Sequence, residues 1–325
     1  MNPVARAVVA LVLLVGLGLF VRSVRNDPAR DALRAPPMFT SSRQCATCHA
    51  EVVDEWDGSH HQIAFENPEV RKLSDGFRNK ECQACHLPRP VSSTGLLNRT
   101  LPRVSRPEEG VDCLACHLSA EGRIIGMTAS DLGCAPVADL EFMGVKLCET
   151  CHNQHQTTDQ WRASRYPSEG VDCTTCHMPA VTRPGGRPGR EHVFEGCHDL
   201  ETLRSAATFE VTRDGGDLVC AVTNTGAGHN FPTEERHRAV DVVVRFLDAD
   251  GEASAWERLA RFRQPYRDEP GENTQLSVDA RHESRVVIPD GALKAEARLW
   301  YRLNPYAADE DDASTLLFER SMELE

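Results

Sequence analysis

The sequence predicts an α+β chain of more than one domain: a mostly helix-and-loop domain followed by a β-sandwich of immunoglobulin-like type. Three observations predict it. A five-residue signature, Cys-x-x-Cys-His, occurs five times between Cys45 and His177 and not again after that. From about residue 203, period-two apolar runs separated by turn residues take over. The length, 325 residues, leaves room for two domains and a tether.

The signatures read Cys45-Ala-Thr-Cys48-His49, Cys82-Gln-Ala-Cys85-His86, Cys113-Leu-Ala-Cys116-His117, Cys148-Glu-Thr-Cys151-His152 and Cys173-Thr-Thr-Cys176-His177. At this spacing two thiols can add to the vinyl groups of a haem while the adjacent imidazole ligates its iron. Chance would supply about 0.02 matches in a chain with this Cys and His content. Zinc and dithiol redox chemistry also use Cys-x-x-Cys pairs. Neither requires a His after every second Cys, and a redox pair does not recur five times. The ten cysteines are therefore expected to bind five covalent haems c, with His49, His86, His117, His152 and His177 as proximal ligands.

Cys134, Cys197 and Cys220 remain. One disulfide plus a free thiol, or three plain thiols, are equally consistent with that count. The formal charge of −13, deepened by haem propionates, excludes a nucleic-acid partner, which needs a basic surface. It suits a redox partner protein with a basic docking patch, although surface acidity also serves solubility alone.

Residues 7–21 are an unbroken apolar run between Arg6 and Arg22. Fifteen helical residues reach about 22 Å, short of a hydrocarbon core unless the flanking arginines snorkel. The run is either a signal h-region or a short anchor, and the lack of a small-x-small site after it favours an uncleaved signal anchor over 1–25. Arg22, Arg25, Arg30 and Arg34 oppose the positive-inside rule, but the resemblance of the signatures to those of c-type cytochromes implies attachment of haem outside the cytoplasmic membrane. The expected location is periplasmic, with a membrane partner through this segment. Residues 26–40, carrying Pro28, Pro36 and Pro37, read as a linker.

Residues 41–202 form the expected haem domain. Proximal histidines follow one another at intervals of 37, 31, 35 and 25, too little chain per cofactor for an ordinary core. Porphyrins must supply much of the buried apolar surface. Helices are expected over 51–65 and 140–164, and loops around 88–107 and 184–188. Glu-Gly-Val-Asp-Cys occurs at 109–113 and again at 169–173. Trp56-x-x-Ser59-x-His61 is matched by Trp161-x-x-Ser164-x-Tyr166. A duplicated unit explains both, with Tyr166 where the first copy has His61.

Strands are expected at 208–212, 218–223, 240–247, 274–278, 284–288 and 295–303, which make a sandwich over 203–306. Residues 307–325, with Asp309-Glu310-Asp311-Asp312, are expected to be a solvated acidic tail.

Eight further histidines could supply sixth ligands. His61 leads because Trp56 and Ser59 place it on a helix near the first signature, with His60 as runner-up. His192 and His198 lie just past the last signature, where a loop can fold back over the haems. His229 sits in Gly-Ala-Gly-His-Asn-Phe-Pro-Thr, whose glycines permit close approach. His155 is too near His152 to share its iron but could serve another; otherwise it is a second-shell or solvated group. His237 and His282 read as surface residues, and Met143 and Met178 as packing.

The order of these motifs, with Cys-His-Met-Pro at 176–179 and His192-x-Phe-x-Gly-x-His198, resembles the multihaem cytochromes c related to hydroxylamine oxidoreductase and its tetrahaem electron acceptor. The resemblance covers about residues 41–240 and implies His61, His192, His198 and His229 as distal ligands. That group holds both electron carriers and enzymes acting on nitrogen or sulfur compounds. No Cys-x-x-Cys-Lys signature is present, so a lysine-ligated catalytic haem has no counterpart, and no Tyr is obviously placed for the cross-link of hydroxylamine oxidoreductase. The expected function is electron transfer along five haems in a respiratory or redox chain. The alternative is a haem reductase of small nitrogen or sulfur compounds with one open iron.

Overall fold

The computed structural model describes residues 39–324, apart from 132, 234, 235, 267 and 268. The apolar run at 7–21 and nearly all of the linker lie outside the described residues. No helix among the described residues is long and apolar enough to cross a membrane. The expectation of a membrane partner is corrected accordingly.

Eight short α-helices are described: α1 (Ala46–Trp56), α2 (Pro68–Leu73), α3 (Lys80–His86), α4 (Cys113–His117), α5 (Val145–His152), α6 (Thr157–Arg162), α7 (Cys173–His177) and α8 (Leu200–Ala206). Two small strand pairs accompany them, β1 (Ile125–Gly126) with β2 (Val137–Ala138) and β3 (Ala180–Arg183) with β4 (Arg187–Arg190). The helix expected over 51–65 stops at Trp56, because Asp57 turns extended and Gly58 takes a positive φ. That expected over 140–164 is two helices, α5 and α6, separated by Gln156 in the left-handed region.

Between the first and last signatures the largest apolar cluster has only four fully buried members, Val91, Ile125, Phe142 and Leu147. The C-terminal part has one of 21. This contrast matches the expectation that the polypeptide alone builds little core around its signatures.

Helix α8 leads without a linker into β5 (Ala207–Asp214), followed by β6 (Asp217–Asn224), β7 (Ala239–Leu247), β8 (Glu257–Phe262), β9 (Arg281–Val287), β10 (Lys294–Arg302) and β11 (Ser314–Glu323). One sheet runs β5-β6-β9, the other β11-β10-β7-β8, all antiparallel. Leu218, Cys220 and Val222 of β6 face Val240, Val242 and Val244 of β7 and Ala295, Ala297 and Leu299 of β10 across one core. Inward alternation on both sheets produces this two-layer arrangement. The division into three and four strands differs from the constant-type immunoglobulin order, because the fourth strand pairs with the third instead of joining the first sheet.

Two expectations fail here. Residues 274–278 contribute only an isolated bridge, Leu276 to Phe231. The acidic tail is in fact strand β11, whose Leu317 is wholly buried. Asp309 is held by Arg302, so the acidic run caps the sheet and the chain re-enters it. Strand β8 was not expected from the sequence, because its Glu-Arg-Leu-Ala-Arg-Phe pattern buries only Phe262 fully.

Candidate cofactor site

Each signature lies on a short helix that ends at, or kinks at, its histidine. The repeated Val-Asp-Cys explains two of these helices. Asp112 and Asp172 are N-caps, their carboxylates accepting from the amides of Ala115 and Thr175 at 2.8 and 3.1 Å. Asn79 caps the second signature in the same way through the Glu81 amide.

The duplication is structural as well as sequential. Trp56 Nε1 donates to the Val111 carbonyl at 3.0 Å, and Trp161 Nε1 donates to the Val171 carbonyl at 3.0 Å. The amide of Val111 donates to the His61 carbonyl, and that of Val171 to the Tyr166 carbonyl. Each copy therefore ties a Trp-bearing helix to the residues just before the next signature helix of its unit, through the same kind of Trp and the same peptide. The first copy holds the whole second signature as an insertion between Gln62 and Glu108.

Gly110 makes this joint possible. It has φ +35°, and a Cβ there would overlap the backbone oxygens of His61 and Gln62. Gly110→Ala is expected to destabilise the protein by more than about 1 kcal/mol, which a thermal melt would record.

Neighbouring signatures touch through their thiols. Cys45 lies beside Cys113, Cys148 beside Cys173 and Cys151 beside Cys85. No disulfide joins any of the thirteen cysteines. Cys220 is buried in the sandwich core, and burial pushes its thiol up to about 12. Among the described residues no cluster of three or more His, Cys, Asp and Glu is disposed to hold a bare metal ion.

Three signature histidines face a second imidazole. The ring centroids lie 6.3 Å apart for His177 and His229, 6.4 Å for His117 and His192, and 6.0 Å for His152 and His61. Two imidazoles bonded trans to one metal at about 2.0–2.1 Å each place their centroids roughly 6.3 Å apart. The residues thus fit an iron between each pair. The His177 and His229 planes differ by only 7°.

Tautomers agree with this role. Nδ1 meets a backbone carbonyl in His86 (Ala64), His117 (Ile125), His177 (Glu195), His192 (Arg190) and His229 (Asn230), at 2.7–3.0 Å. With Nδ1–H donated there, Nε2 is left as the metal-binding atom. Burial favours the neutral form of three of the paired rings: desolvation, then the nearby His152, lowers His61 to about 3, and desolvation likewise depresses His117 and His192.

His60 and His198 behave differently. Their rings stack at 3.8 Å and 18°, too close to bracket one iron. Desolvation, then His60, brings His198 down to about 4. His155 belongs to none of the three pairs; its Nδ1 is buried. His49 belongs to none of them either. His237 and His282 instead meet the rings of Tyr266 and Phe262.

Several positioning residues carry no signal in the sequence. Glu55 on α1 accepts a two-pronged bond from Arg183 at 2.5 and 2.7 Å and a bond from the His192 amide at 3.0 Å, fastening the His192 loop to α1. Gln160 on α6 accepts from the Asn230 amide at 3.2 Å and from Thr233 Oγ1 at 2.6 Å. Asn224, fully buried at the end of β6, donates to the His229 carbonyl at 2.9 Å. Of the loop glycines, Gly226 is the one under pressure, since a Cβ there would overlap the Ser205 carbonyl. The His229 loop is therefore fixed from both domains.

The sequence profile of the family described as cytochrome c554 and c-prime matches residues 44–118, less than half of the chain. No curated protein matches the sequence. Among solved structures, a penta-heme cytochrome c552 from Thermochromatium tepidum superposes with a TM-score of 0.68 at 20% identity, over 88% of this chain and 99% of that one. A superoxide reductase (neelaredoxin) from Archaeoglobus fulgidus matches 39% of this chain and 94% of its own at 16% identity, but a TM-score of 0.24 carries no argument. Fold and attachment signatures together are those of a multihaem c-type cytochrome.

Proposed function

We propose that the chain holds five covalent haems c and transfers electrons among them outside the cytoplasm, as a carrier in a respiratory or redox chain. The observation that supports this most strongly is the set of three imidazole pairs at trans-ligand spacing. His49, His86, His117, His152 and His177 act as proximal ligands, and His61, His192 and His229 close the fourth, third and fifth sites. His60, His155 and His198 are left for the first and second sites, and His60 and His198 do not share one iron because their rings stack at 3.8 Å.

Haem c, when bound, supplies a one-electron couple tuned by axial ligands, burial and hydrogen bonds. The chain's residues hold each imidazole at a set angle, exclude competing ligands and keep the signature helices in contact. A closed pair favours transfer over substrate chemistry, because a catalytic iron needs an exchangeable position. The order of the motifs supports kinship with the hydroxylamine oxidoreductase group.

Two measurements test the proposal. The mature polypeptide should exceed its bare mass by five haems, and ferric low-temperature magnetic spectra should show bis-imidazole signatures for at least three irons. A bare mass would refute haem attachment. A predominantly high-spin protein that binds nitrite or hydroxylamine would instead favour a reductase.

Glu55 gives a more local prediction. Glu55→Ala removes the acceptor for the His192 amide and the partner of Arg183, and should leave the third-signature iron partly high-spin. Glu55→Gln, which retains an acceptor oxygen, should stay mostly low-spin. Equal spectra for both variants would show that His192 does not depend on this clamp.

A further inference from the structure

The chain's charge is unevenly distributed. Residues 71–106 contain eight Arg or Lys against Asp75 and Glu81, a net +6 in a protein of −13, so the remainder carries −19. Two of the eight are turned inward: Arg103 is buried, and Arg106 pairs with Glu109 and Asp112 at 2.7 and 2.6 Å. The other six are exposed, four of them Arg. The second signature sits in the middle of this basic stretch.

The segment is tied together around that signature. The Arg103 amide donates to the Leu87 carbonyl at 2.9 Å, and the Arg89 amide to the Leu101 carbonyl at 2.7 Å. Arg99 Nη2 donates to the Glu81 carbonyl at 2.8 Å, and Thr100 Oγ1 bonds the Ala84 carbonyl. The loop after α3 is thus folded back onto the helix that carries Cys82, Cys85 and His86. Leu73, Leu97, Leu101 and Val104 are exposed on the same segment, Val104 at 95%. Apolar side chains with arginines around them have the composition of a protein–protein interface, where Arg is enriched and Lys depleted. A surface for nucleic-acid phosphates needs only charge and has no use for four exposed aliphatic groups.

We propose that this face is the docking site for an acidic one-electron carrier protein, which meets the chain at its second signature. The inference rests on the electron-transfer reading for its readout. It reverses the polarity expected from net charge, since the partner's acidic rim would meet the arginines while the rest of the chain repels it and orients the encounter. A second copy of this chain, also acidic, is the competing occupant.

The test uses the full-length holoprotein, with reduced flavodoxin as the acidic probe and dithionite as a small reductant. Haem content and complete reduction by dithionite are checked first; failure there counts against the electron-transfer reading and not against the docking face. The rate with flavodoxin should fall at least tenfold between about 10 and 500 mM ionic strength, as screening of complementary charges requires. The variant Lys72→Glu/Arg78→Glu/Arg89→Glu should lose at least tenfold at low salt while its dithionite rate is unchanged. Arg258→Glu, an exposed control on β8, should have no effect. Arg89→Glu alone should show part of the loss if the triple variant folds poorly. A rate that rises with salt, or an unchanged Arg89→Glu variant, would overturn the proposal. So would low-salt self-association in sedimentation that the same variant abolishes without altering the flavodoxin rate.

Discussion

His229→Ala is expected to convert one iron from low-spin to high-spin and to open it to cyanide, with little change in the stability of the fold. His229 faces His177 at 6.3 Å between ring centroids with planes 7° apart, so it is the imidazole positioned to complete that site. Its loop is held independently of the ring: Asn224 bonds its carbonyl, and Gln160 bonds the next residue's amide. Truncation of the half-buried ring therefore leaves the loop in place and should change stability by no more than about 1–2 kcal/mol. Ferric magnetic circular dichroism with a cyanide titration would count the converted iron. Unchanged spectra would mean that a different group closes the fifth site. The same substitution at His61 should open the fourth site, and it also removes a ring packed 4.1 Å from that of Phe194.

How much of this was legible in the sequence depends on how local each feature is. The five signatures are local, and the helices of three of them follow from Asp or Asn caps at the preceding residue or a few residues away. The paired Trp motifs are also local, and the duplication they imply is matched by two Trp-to-Val-carbonyl joints. Pairing of His61 with the fourth signature is not local. It depends on Gly110 letting the 61–62 backbone approach the third signature helix, and on Cys148 meeting Cys173. Glu55, Gln160 and Asn224 were missed for the same reason, since their partners lie 137, 70 and 5 residues away and only the last is near. The C-terminal strand was missed because four consecutive acidic residues read as solvated. Arg302 answers Asp309 from inside the sheet, and a sequence pattern does not show that.

Asp241→Ala should be the most damaging substitution in the C-terminal domain, and its effect should reach the haem spectrum. Asp241 is 1% exposed on the central strand β7. It accepts a fork from Arg261 Nε and Nη2 at 2.7 Å each and a third bond from Arg302 Nε at 2.7 Å. Arg302 is itself 4% exposed and also holds Asp309, Ser314 and the Ala307 carbonyl, so it ties β7 to the start of β11. Removing the carboxylate leaves a buried guanidinium short of a partner, which typically costs about 3–5 kcal/mol. In a domain of this size that corresponds to a fall in melting temperature of roughly 10 °C or more. Strand β7 follows directly from the loop that presents His229, and β6, beside it in the core, ends at Asn224. Loss of the sandwich must therefore release His229. Far-ultraviolet melting of the sheet and the appearance of a single high-spin iron should move together to lower temperature in Asp241→Ala. Replacing Arg302 as well, by methionine, should recover part of the loss, because it removes the stranded charge. Sheet melting that left all irons low-spin would break the link between this domain and the fifth site.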